Sequence, residues 1–195
     1  MKRKFFTFKP FIDVLFCCLL MLVAILYLLK TEDNNQKMRP PNVMYQVILT
    51  WDGKSEDDLD LWVQASSGHI VSFNRREGGA GSLVSLDHDA LGYSRNNRIH
   101  GGQDGSVVNK NEEIVSFRGI FVGENTVNVH VYAKVDDEPV TATITLIKIK
   151  PFEEIVKKEI VLSADGEEKT AFRFITDGAG SVKEINELPK ILTKP

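Results

Sequence analysis

After residue 18 the chain has no cysteine, and the two it does have, Cys17 and Cys18, are adjacent. Neighbouring positions of a helix point about 100° apart, so this pair does not staple a fold. Whatever folds downstream must hold together without a disulfide, and no Cys/His arrangement is available there for nucleophilic chemistry. Excess charge is also lacking. A net charge of −3 and an isoelectric point near 5.8 give no global field that would draw in nucleic acid. His69, His88, His100 and His130 show no metal-ligand spacing, and no Ser/His/Asp constellation is recognisable. These absences argue against an enzyme.

What the chain does have is one long apolar run near its start. From Phe11 to Leu29 every residue except Asp13 is apolar or aromatic. Nineteen residues make a helix of about 28 Å, which matches a bilayer's hydrocarbon core. Lys2, Arg3, Lys4 and Lys9 precede it and no acid intervenes before Asp13, so the positive-inside rule keeps the N-terminus cytoplasmic and exports the rest. A signal peptide shares the basic start and apolar stretch, but no small-x-small cleavage site follows; Tyr27-Leu28-Leu29-Lys30-Thr31 is bulky there. Leu15-Phe16-Cys17 likewise lacks the small residue of a lipoprotein site. The expected organisation is a cytoplasmic tail over 1–9, a transmembrane helix over 10–30, and a linker over 31–43 that ends in Pro40-Pro41. A periplasmic domain over 44–178 and a C-terminal tail over 179–195 complete it.

Past Met44 the hydrophobic pattern changes to period two. Tyr45–Trp51, Leu59–Val63, Ile70–Phe73, Thr126–Tyr132, Val140–Ile149, Glu159–Leu162 and Thr170–Ile175 all read as strands. In Thr126–Tyr132 the valines take one face and Asn128, His130 and Tyr132 the other. Asp52-Gly53, Ser67-Gly68, Gly78-Gly79 and Asp165-Gly166 are turn signals between the runs. Short strands at this spacing predict an all-β domain, an antiparallel sandwich of jelly-roll or immunoglobulin-like kind, behind a single N-terminal transmembrane helix. Residues 94–110, polar and glycine-rich, read as an inserted loop, and 182–192 has room for a short helix before Pro189. Trp51 and Trp62 read as core residues.

The aspartate in the apolar run requires a reason. A carboxylate deep in a bilayer costs about 2.5–3.5 kcal/mol, less near the interface. Asp13 also suits the first turn of a helix that starts at Pro10, which would be reason enough. Helical spacing puts Asp13, Cys17, Leu20, Ala24 and Tyr27 on one face with Phe16 beside them, and the small residues there permit close helix approach.

The words Pro10-Phe11-Ile12-Asp13-Val14, placed after a short basic tail, resemble the opening of the single span in the ExbD/TolR family. MotB-type stator subunits share that general plan. The resemblance implies an inner-membrane subunit of a motor driven by the proton-motive force, present as two copies inside a pentamer of a multi-span ExbB/TolQ/MotA-like partner. It implies that Asp13 carries the protons, and that Phe16, Cys17, Leu20, Ala24 and Tyr27 form the packing face. Protons would then be the coupling ion, with no other cofactor.

The exported part is not the α/β domain of ExbD and TolR, nor the peptidoglycan-binding domain of MotB. Trp51 with Asp58-Leu59-Asp60-Leu61, then Leu86-Asp87-His88-Asp89, then Val127-Asn128-Val129-His130-Val131-Tyr132 resemble a YfaP-like bacterial β-sandwich family. The Gly-Pro-Glu usual in that family after the second acidic cluster is missing. In the motor reading the sandwich engages an envelope partner. The alternative is a membrane-anchored periplasmic binding module whose helix is an inert anchor. Asp58, Asp60, Asp87 and Asp89 offer hard oxygens to calcium if their loops converge. No glycine-spaced calcium loop is present, so the expectation is no metal, the four acids serving as turn formers and solvated strand ends.

Overall fold

The computed structural model describes residues 9–35, 43–78, 83–100 and 110–193, the side chains of 9–11, 26–35 and 99–100 excepted. The chain divides into two compact units, Met1–Pro41 and Asn42–Pro195.

The first unit holds helix α1, Lys9–Asn35. The helix continues past the end of the expected span and takes up the first residues of the expected linker, because Thr31 to Asn35 contains neither proline nor glycine to stop it. Its described side chains, Ile12 to Ile25, are all exposed. Among the described residues no helix is long and apolar enough to cross a membrane. The side chains described on α1, Ile12 to Ile25, are fewer than the roughly 20 residues a bilayer takes.

Among the described residues the second unit is a β-sandwich of ten strands: β1 Tyr45–Trp51, β2 Asp58–Gln64, β3 Ile70–Val71, β4 Val84–His88, β5 Asn111–Phe117, β6 Gly123–Ala133, β7 Val140–Lys148, β8 Glu153–Leu162, β9 Glu168–Thr176 and β10 Val182–Asn186. A short helix, α2 (Tyr93–His100), sits between β4 and β5. One sheet runs β4-β5-β1-β7-β8 and the other β10-β9-β6-β2-β3, every pairing antiparallel. Alternation drives the packing. Val47, Leu49 and Trp51 of β1, Ile144 and Leu146 of β7, Leu59, Leu61 and Val63 of β2, Val127, Val129 and Val131 of β6, and Phe172 and Phe174 of β9 make the buried core. Phe117 meets Phe121 and Phe174 edge-on at ring separations of 5.5 and 5.8 Å, closing one end.

Four expectations change here. The inserted loop over 94–110 begins as helix: α2 has little apolar content, but Glu56 accepts from the Ser94 N–H at 3.0 Å at its first turn. Asn96 ties it inward, accepting from the Leu91 N–H at 2.8 Å and donating to Asn111 Oδ1 at 2.8 Å. Such tertiary support offsets weak helix propensity; residues 101–109 of that loop lie outside the described residues. The C-terminal stretch forms no helix, since Val182–Asn186 pairs with β9, so the sheet extends beyond residue 178. The chain after it crosses the outer face: Thr170 Oγ1 accepts from the Lys190 N–H at 2.9 Å, and Glu168 accepts from the Leu192 N–H at 2.7 Å. Ile70–Phe73 shortens to Ile70–Val71, because Ser72 and Arg75 close a turn on each other. Lastly, Trp51 is core, whereas Trp62 is only partly buried on the outer face, edge-on to Phe73 and His130.

Candidate functional site

The short β3 creates the site. It pairs only with Val63 and Gln64, so the first half of β2 has no strand neighbour on that side. A bare main-chain edge in a protein interior must find another acceptor. It finds one in the opposite sheet: Glu113 of β5 accepts the Leu61 N–H at 2.6 Å through Oε2. Glu113 stands at an inward position of its strand, in register with Asn111, Val115 and Phe117, and is fully buried.

Asp60 of β2 and Asp89, just after β4, join it there. One carboxylate oxygen from each of Asp60, Asp89 and Glu113 lies within 4.8 Å of the other two. Asp60 is 2% exposed, and the Asp89 side chain 11%. Asp60 Oδ2, Asp89 Oδ1 and Glu113 Oε1 are all buried with no hydrogen-bond partner. Cations nearby are few: Arg76 contacts the other oxygen of Asp89, and His130 Nδ1 stands 3.6 Å from Asp60 Oδ2, beyond hydrogen-bond range.

Electrostatics follows from this crowding. Glu113 is held well above the usual carboxylate range, by burial first and then by the Asp89 carboxyl facing it and the charge of Asp60. Asp60 is raised as well; burial outweighs the lowering by His130, and Asp89 adds to the rise. Asp58 is pushed up to about 7, by burial and then by Asp60, with Arg95 partly compensating. The arrangement holds three like-charged groups in a desolvated space, which is stable only if protons or a cation are shared among them.

The four acids singled out from the sequence thus part company. Asp60 and Asp89 come together, and Glu113 completes the group. Asp58 Oδ2 instead meets Arg95 of α2 at 3.3 Å. Asp87 turns away to a two-pronged pair with Arg118, at 2.8 and 2.7 Å. The i, i+2 spacing of Asp87 and Asp89 does not place them on one face, because a bulge intervenes: Leu86 pairs with Val115 and His88 with the adjacent Ile114, leaving Asp87 as the extra residue. Arg118, with Ser116 and Ser85, holds Asp87 below the ordinary carboxylate range despite partial burial. Asp58 is buried and is no solvated strand end; Asp87 is exposed near the end of β4, as expected, though tied there to Arg118.

Comparison with family models, with curated proteins and with solved structures finds no match to this chain. The site therefore rests on its own geometry.

Two residues escaped the sequence reading. Glu113 is betrayed only by a charged residue at an inward position of Asn111-Glu112-Glu113-Ile114-Val115, a pattern visible once the strand's register is known. Asp57 is structural: fully buried, it accepts the Val135 and Asp136 N–H groups at 2.8 and 2.9 Å and the Lys134 ammonium at 2.8 Å. It ties the start of β2 to the β6–β7 turn.

On α1, Asp13 is exposed near the start of the helix, and Phe16, Cys17, Leu20 and Ala24 are exposed along its length. The side chain of Tyr27 lies outside the described residues.

Proposed function

We propose that the chain is a single-span inner-membrane subunit of a proton-driven rotary motor of the ExbD/TolR/MotB kind, its N-terminus cytoplasmic and its sandwich periplasmic. The observation that carries this reading is α1 itself. Over Ile12–Ile25 thirteen apolar side chains and a single acid, Asp13, are presented with nothing in the described residues covering them; Phe16 is 58% exposed and Met21 73%. So continuous an apolar surface is not left to water. Lipid and partner helices are the covers that suit a helix of this composition, and an acid is kept in such a surface for a function.

In this reading two copies of α1 stand inside a pentamer of a multi-span ExbB/TolQ/MotA-like protein. Asp13 takes a proton from the periplasmic side and releases it to the cytoplasmic side. Phe16, Cys17, Leu20, Ala24 and Tyr27 form the face on which the partner turns. One charge crossing 100 mV is worth about 2.3 kcal/mol, enough to bias a step between charged and neutral carboxyl. The sandwich, of immunoglobulin-like or jelly-roll kind, delivers the work to an envelope partner. Co-purification in detergent with the multi-span partner tests the assembly: two copies of the chain per five of the partner are expected, and recovery of the chain alone refutes it.

A second reading, an anchored binding module with an inert helix, is favoured by one observation, the buried group of unpaired carboxylates in the sandwich. In that case Asp13→Asn leaves the protein's activity unchanged.

A further inference from the structure

We propose that Asp60, Asp89 and Glu113 form a binding site for one divalent cation of the hard, oxygen-seeking kind, calcium foremost. The inference does not rest on the motor reading and stands equally if α1 is an inert anchor. It starts from an imbalance. Glu113 is completely buried, one oxygen is committed to the Leu61 N–H, and the other faces the cluster with no donor at all. Asp60, itself almost fully buried, and Asp89 each also carry a buried oxygen without a hydrogen-bond donor, and the three side chains converge. A buried acceptor without a donor costs roughly 1–3 kcal/mol, more when charged, and three in one place need a common partner.

A cation is the partner that satisfies all three together. Oxygens that lie within 4.8 Å of one another need only small side-chain shifts to share one ion at about 2.4 Å, the length of a calcium–oxygen bond. Magnesium, at about 2.0–2.1 Å and demanding octahedral geometry, would need the three drawn closer. The three converging donors are carboxylates, hard oxygen ligands, so soft metals are disfavoured. The three come from β2, β5 and the segment after β4, two of them from one sheet and one from the other. An ion there would clamp the two sheets where β3 is too short to close the edge. Main-chain oxygens or water would fill its remaining positions.

The test is calorimetric titration of CaCl2 into the full-length chain, purified in detergent and stripped with chelator, with thermal melting in parallel. One saturable site per chain and a melting temperature that rises with CaCl2 are expected. Asp89→Asn should weaken binding by about tenfold or more, and Glu113→Gln should remove it together with the melting shift. Glu112→Gln, the same change one residue away on a side chain paired with Lys110, should leave both unaltered. If Glu113→Gln fails to fold, Asp89→Asn decides by itself. Absence of a saturable CaCl2 signal in the wild type overturns the site, as does binding that survives in the Glu113 and Asp89 variants or is lost equally in Glu112→Gln. Tighter binding of MgCl2 than of CaCl2 overturns the choice of ion.

Discussion

Glu113 of one sheet takes the main-chain N–H of Leu61 in the other at 2.6 Å, a hydrogen bond that bridges the two layers of the sandwich at an unpaired strand edge. A strand edge is normally satisfied by another strand. Here a buried acid does it, and the second oxygen of that acid is what makes the carboxylate group possible.

This double duty separates two substitutions. Glu113→Ala leaves the Leu61 N–H buried without an acceptor and should cost about 1–3 kcal/mol, besides the space left behind. Glu113→Gln keeps an acceptor for Leu61 and offers an amide donor to Asp89 Oδ1, while removing a charge. Without added metal, urea unfolding at pH 7 should find the Gln variant at least as stable as wild type and the Ala variant clearly weaker. The reverse order would show that Glu113 does not bridge the sheets.

Asp57 and Lys134 form a buried pair of a different sort, fully hydrogen-bonded, with side chains 1% and 9% exposed. Removing one partner of such a pair costs about 3–5 kcal/mol, so Asp57→Ala should unfold at a much lower urea concentration. Burial opposes the charge on Asp57, but Lys134 and the Asp136 and Val135 N–H groups overcome it and hold its acidity below the usual range. A carboxylate depressed in the folded state stabilises the fold fully above its unfolded value of about 3.9 and loses that contribution as pH falls through the lower folded value. Stability measured against pH should therefore drop below about pH 4, and the Asp57→Asn variant should show a shallower drop.

Gly92 precedes α2 with φ of +81°, and a Cβ there would stand 2.6 Å from the Glu56 carbonyl oxygen. Both the left-handed backbone and the contact with main chain oppose any side chain. Gly92→Ala should cost about 1–2 kcal/mol from conformation alone, and more from displacing the Glu56 main chain in the β1–β2 connection. A lower melting temperature, together with faster amide exchange at Tyr93 and Asn96, is the expected signature.

Much of the sandwich was legible because its strands alternate. The valines of β6 and the apolar triplets of β1 and β2 face inward as their spacing requires. What escaped was set by tertiary contact. Helix α2 depends on Glu56 and Asn111, remote in sequence, and β10 on pairing with β9. The acids divided the same way. Asp60 and Asp89 were visible as members of the pairs Asp58/Asp60 and Asp87/Asp89, but a bulge at Asp87 decided which of the second pair faces inward, and nothing local announces a bulge. Glu113 could be recognised only with the register of β5 in hand, since Glu112 beside it is an ordinary surface acid paired with Lys110.

The most direct measurement is proton uptake into vesicles that hold this chain with its multi-span partner, followed by a pH-sensitive dye under an imposed membrane potential. Wild-type complex should carry protons, and Asp13→Asn should assemble in the same two-to-five ratio yet carry none. Equal uptake in the two, or a wild-type chain that sits in the vesicles without a partner, would contradict the account.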